Sequence, residues 1–173
     1  MKRTIIVAIA ISLLLAIFPV GLALAATTAD VTVTATPSFL SITNLPASWP
    51  IGSVSANSTP NTGIDYFEIT NSSGVAMDIS IKCNGWSGVS SWSYGAPATN
   101  TANLTASSGN STGGGSSGAG TYDIDVLDGS DSLLIDAVAA GVSPNWELQL
   151  NAPTDFTFGD EQTTTVTITA TVD

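Results

Sequence analysis

The sequence predicts an all-β protein: a two-sheet antiparallel β-sandwich of Ig-like, Greek-key type, in a single domain behind an N-terminal export signal. Three observations lead there. Apolar and polar residues alternate with period two in one segment after another, which turns one face of each strand to a core and the other to solvent. Turn-forming pairs such as Asn84-Gly85 and Asp128-Gly129 separate those segments. Ser and Thr together make up 43 of the 148 residues from position 26 onward, Thr suiting pleated strands and Ser suiting turns.

Taken in order, the chain opens with Lys2 and Arg3, then an apolar run over residues 5–20 broken only by Ser12. Ala23-Leu24-Ala25 is a small-residue cleavage site, followed by the polar start Ala26-Thr27-Thr28-Ala29-Asp30. That is the pattern of a secretory signal peptide, residues 1–25. The run is also long enough to cross a bilayer, which takes about 20 apolar residues. The abrupt loss of hydrophobicity after Ala25 favours cleavage, leaving a domain over residues 26–173.

The first strand is expected at Val31, Val33 and Ala35, which alternate with Thr32, Thr34 and Thr36. Weaker strands are expected at 39–43, 52–56, 66–70, 91–94 and 103–106. The clearest lies between them: Val75, Met77, Ile79, Ile81 and Cys83 share one face, and Asp78, Ser80 and Lys82 the other. Residues 107–120 are Gly- and Ser-rich and read as a flexible surface loop. Tyr122, Ile124 and Val126 alternate with Asp123 and Asp125; Trp146, Leu148 and Leu150 with Glu147 and Gln149; and Val166, Ile168, Ala170 and Val172 with Thr165, Thr167, Thr169 and Thr171. The one stretch with helical character is 132–140. Nine to eleven short strands in this length predict two packed sheets.

Charge excludes several functions. The chain has 3 Lys+Arg against 14 Asp+Glu, no His and 1 Cys, for a formal charge of −11. Loss of Lys2 and Arg3 with the signal removes two positive charges and leaves −13, with Lys82 the one remaining cation. Nucleic acid and anionic lipid need a basic footprint that is missing. Without His there is no histidine triad or His-ligated metal, and a lone Cys makes neither an intrachain disulfide nor a cysteine-rich zinc site. No G-x-S-x-G elbow is present, and Gly113-Gly114-Gly115 lacks the Lys of a phosphate loop. The chain is therefore expected not to be an enzyme.

Four sets of residues stand out. Asp123, Asp125, Asp128 and Asp131 are the densest carboxylates, and Asp128, Ser130 and Asp131 around Gly129 form a partial calcium ligand set, although their spacing differs from an EF-hand loop. Asp123 and Asp125 are better explained as the solvent face of a strand whose core face is Tyr122, Ile124 and Val126. Of Trp49, Trp86, Trp92 and Trp146, Trp86 beside the Asn84-Gly85 turn and Trp92 are the candidates for a carbohydrate platform, set against packing in the core. Cys83 continues the apolar face of its strand and is expected to be a buried thiol, with an intermolecular bridge as the alternative. Asn57, Asn71, Asn103 and Asn110 begin Asn-x-Ser/Thr sequons.

Trp146-Glu147-Leu148 is a literal Trp-x-Leu, Trp92-Ser93-Tyr94 an imperfect second copy, and the last strand is Thr-rich. In these features residues 30–173 resemble the WxL class of bacterial surface domains. The resemblance implies non-covalent attachment to the cell wall, without catalysis, and carries a surface-attachment role over to Trp146 and Leu148.

The expected function is thus that of a non-catalytic extracellular protein, associated with the cell surface or wall, with a structural or adhesive role. Its partners would be a cell-wall polymer, a glycan or copies of itself. The alternatives are a subunit of an extracellular filament assembled by strand addition, with residues 26–36 as the donor, and a carbohydrate-binding module. Neither nucleic acid nor, after signal cleavage, membrane is an expected partner, and no cofactor is expected, with calcium as the alternative.

Overall fold

Alternation of apolar and polar side chains produces strands with one face to bury, and the described residues form nine strands in two sheets. A computed structural model describes residues 39–108 and 120–173. The expected signal peptide, the expected strand at 31–36 and all but the ends of the 107–120 loop lie outside the described residues. In chain order the strands are β1 (Ile42–Leu45), β2 (Phe67–Asn71), β3 (Met77–Cys83), β4 (Ser93–Tyr94), β5 (Thr101–Ser107), β6 (Ile124–Val126), β7 (Ser132–Val138), β8 (Asn145–Asn151) and β9 (Val166–Val172). The described residues contain no helix, and so none long and apolar enough to cross a membrane.

The larger sheet runs β1-β2-β8-β5-β4, with β6 also on β5. The smaller runs β7-β3-β9. Every pairing is antiparallel except β4 with β5. The chain crosses between the sheets five times, after β2, β3, β6, β7 and β8. This is the all-β, two-sheet, sandwich-like architecture that the periodicity predicts.

The core lies between the sheets. Met77, Ile79, Ile81 and Cys83 of β3 are fully buried, and they pack in one cluster with Ile69, Leu104, Leu148 and Leu150 of the larger sheet. Burial of each large aliphatic side chain stabilises the fold by about 1.5–3 kcal/mol. Phe67 and Trp146, opposite one another across β2 and β8, stack at 4.4 Å between ring centroids.

Three expectations need correction. Residues 132–140 are not helical: 132–138 form β7. The doubled apolar pair Leu134-Ile135 imitates a helix face, but two register shifts against β3, with Ala137 at φ 49°, let both residues face the core. Such bulges put extra residues into one strand and break the period of two. Residues 52–56 form no strand. Gly52 (φ 77°) and Asn57 (φ 57°) turn the backbone out of the extended region, and Ile51 and Val54 cover the core from a loop. The strand expected at 39–43 starts at Ile42, leaving Phe39 and Leu40 exposed ahead of it.

Candidate functional site

The aromatic candidates lie close together. Trp86 and Trp92 meet edge to face at 5.3 Å, and Trp92 stacks on Phe156 at 5.6 Å. Trp86 Nε1 donates to the Ala102 carbonyl (3.2 Å), and the Trp92 backbone N–H donates to Gln162 Oε1 (2.8 Å). Both rings are half-buried and pack against the core, so they close one margin of the sandwich and expose only part of each face. Trp92 Nε1 is buried with no hydrogen-bond partner among the described residues.

The Trp-x-Leu residues are interior. Trp146 is 2% exposed, and its indole Nε1 donates to Asn44 Oδ1 (2.7 Å); Leu148 is 4% exposed. In this unit both side chains serve packing.

The acidic segment is divided between two environments. Asp131 turns to Lys82, with Nζ 3.3 Å from Oδ1. Asp128 and Ser130 line a shallow cleft of about 440 Å³ together with Asp125, Asn103 and Tyr94. Asn103 Oδ1 is buried without a hydrogen-bond partner among the described residues. The carboxylates that do converge are others. Asp78, Asp136 and Asp173 bring one oxygen each to within 4.8 Å of one another on the outer face of the smaller sheet. Asp78 Oδ1 accepts from the Ala137 N–H (3.0 Å). The hydrogen bond to Asp78, and then the charge of Asp78, push the Asp136 carboxyl above its ordinary value. The bulge in β7 sets up this juxtaposition, which alternation alone would not disclose. Three oxygens suit a hard cation such as calcium, although that ion takes six to eight.

Most remaining reactive groups serve the fold. Glu147 is fully buried; Oε1 accepts from the Asp65 N–H (3.1 Å) and Oε2 from the Gly120 N–H (2.8 Å), which ties two loops to β8. Burial, followed by the nearby Glu147, raises the Tyr122 phenol. Burial also pushes up the Tyr94 phenol, whose hydroxyl meets the Val126 carbonyl and accepts from the Leu104 N–H. Cys83 is a buried free thiol near the carbonyls of Val126 and Leu127.

The sequons separate clearly. Asn57 is exposed in a turn, whereas Asn71 is fully buried and its Nδ2 donates to the carbonyls of Val75 (3.0 Å), Val138 (2.9 Å) and Ala139 (3.1 Å). Asn103 is half-buried in β5, and Asn110 lies outside the described residues.

One further surface is incomplete. β9 is an edge strand that pairs with β3 along its whole length, from Met77 opposite Val172 to Cys83 opposite Val166. Its other edge has no strand partner among the described residues. Val166, Ile168 and Ala170 touch the core but stay half-buried, where their neighbours on β3 are sealed; Val172 is 63% exposed. Sequence reasoning finds β9 but not its edge position, because topology decides which strands lie outermost.

Comparison with protein-family models, with curated proteins and with solved structures found no match to this chain.

Proposed function

We propose that this chain is a non-catalytic, exported β-sandwich that serves a structural or adhesive role at the cell surface or wall. The observation that carries the reading is the use made of its reactive groups. Glu147 is consumed by backbone amides, Cys83 by the core, and Trp146 by a stack on Phe67. What faces outward includes carboxylates such as Asp128, Asp131 and Asp136, and strand edges. Such a surface keeps the protein soluble and repels polyanions. The export signal and the likeness to WxL domains support the location. The test is fractionation of the source cells and sedimentation of the purified protein with their cell wall. Protein found in the cytoplasm, or failing to sediment with wall, would count against this role.

The uncovered edge of β9 favours a second reading, a subunit of an extracellular filament assembled by strand addition. An open edge with partly exposed apolar side chains is a template for another strand. Electron microscopy of the native secreted material tests it: filaments are expected, and monodisperse particles at all concentrations would reject it.

A further inference from the structure

We propose that the free edge of β9 accepts residues 31–36 of a second copy of this chain. The inference rests on the filament reading and names its acceptor and its donor.

The acceptor lacks one strand's width of cover. The smaller sheet has three strands against six, and the row Val166, Ile168, Ala170 is half-buried where the next row inward, on β3, is fully buried. A strand bonded to β9 would continue the sheet and cover that row.

The donor matches it in pattern and length. Val31-Thr32-Val33-Thr34-Ala35-Thr36 has the same alternation as Val166-Thr167-Ile168-Thr169-Ala170-Thr171. Placed beside β9, Val31, Val33 and Ala35 extend its apolar face and the three Thr extend its outer face. Six residues reach about 20 Å at about 3.3 Å each, close to the length of β9. The segment contains no charge and no Pro, both of which protect edges from pairing.

The geometry points to a second copy as the source. In one chain five residues separate the segment from β1, and the Ser41 carbonyl is fixed by accepting from the Ser72 N–H (2.9 Å). Ser72 stands at the turn into β3, whose first residue, Met77, is opposite Val172. A strand tethered near that end of β9 would run parallel to it. The main ladders of both sheets are antiparallel, and that geometry is slightly more stable per residue. A second copy brings the segment without the tether and can pair antiparallel. Phe39 (74% exposed) and Leu40 (41%) follow directly and would be carried onto the neighbour. Each copy gives one strand and receives one, a head-to-tail contact that builds an open fibre unless its rotation closes.

The test uses two full-length chains with different tags, co-expressed in the source cells. One carries Thr34→Cys; the other carries Thr167→Cys, Thr169→Cys or Thr171→Cys in turn, to span the register. Cys83 is buried, and the unsubstituted chain is the control. The expected result after oxidation is a reducible dimer bearing both tags, lost when the donor also carries Val33→Pro. Absence of a mixed dimer with all three acceptors would overturn the proposal. So would a chain carrying both Thr34→Cys and Thr169→Cys that closes only on itself, because its own strand would then cover β9. Microscopy of the unsubstituted protein separates the two failures. Filaments without any mixed dimer reject this edge and leave the filament reading standing; absence of filaments rejects that reading itself.

Discussion

Replacing Asn71 by Ala should be among the most damaging single changes in this molecule. Its side chain is fully buried and reaches from β2, in the larger sheet, to the end of β7, in the smaller. Nδ2 donates to the Val75, Val138 and Ala139 carbonyls, while Oδ1 accepts from the Ser73 N–H (2.9 Å) and the Ser73 hydroxyl (2.5 Å). Three of these five bonds are wholly buried; truncation strands the Val138 carbonyl and the Ser73 N–H, while the Ser73 hydroxyl keeps the Val75 carbonyl (3.1 Å). An orphaned buried polar group costs about 1–3 kcal/mol. The two part-buried carbonyls can recruit water and add little. The expected loss is about 3–5 kcal/mol, a large share of the roughly 5–15 kcal/mol that holds a typical domain together. In thermal unfolding this corresponds to a fall of about 10–15 °C in midpoint. Urea unfolding should show a lower midpoint at an unchanged slope. Because Asn71 and Ser73 act as a unit, the double variant with Ser73→Ala should cost about 1 kcal/mol less than the sum of the singles. A loss under about 1 kcal/mol, or strict additivity, would refute the reasoning.

Three further outcomes follow from buried or clustered groups. Asp136→Asn should raise the melting temperature at neutral pH, since it relieves repulsion from Asp78 and Asp173. A raised carboxyl in the folded state contributes stability that is complete below the ordinary value of 3.8 and is lost as pH rises through the raised one, so the advantage of the variant should shrink on acidification; a pH-independent gain would refute this. Glu147→Gln should cost about 2–4 kcal/mol in urea unfolding, because one amide N–H must face either the Asp65 or the Gly120 N–H; an unchanged midpoint would show that the carboxylate is not the staple. The Cys83 thiol should react with a thiol reagent only as fast as the protein unfolds, and rapid stoichiometric labelling of native protein would contradict its burial.

The strands with strict alternation were legible in the sequence because their physics is local. Each apolar residue of β3 and β8 faces the core as the period of two demands. β7 was not legible, because its two extra residues are accommodated by pairing with β3, a partner more than fifty positions away. The site was less readable than the fold. Asp128, Ser130 and Asp131 stand out in the sequence by their closeness along the chain, whereas Asp78 and Asp136 come from β3 and β7 and Asp173 follows the end of β9. Asn71 looked like one of four equivalent sequons, and only its neighbours across the sheets distinguish it.

Lys82 has a consequence for the lifetime of the protein. It is the sole basic residue from position 26 onward. It lies in β3, the middle strand of its sheet, hydrogen-bonded to β7 on one side and β9 on the other, and its amine is paired with Asp131. A protease that cuts after Lys or Arg must draw an extended stretch of backbone into its own cleft, and this stretch is already paired on both edges. From position 26 onward such proteases have one place to cut, and it opens only when the sheet does. Unfolding would therefore limit digestion of residues 26–173 by trypsin-like enzymes, a resistance that rests on strand pairing and needs no disulfide.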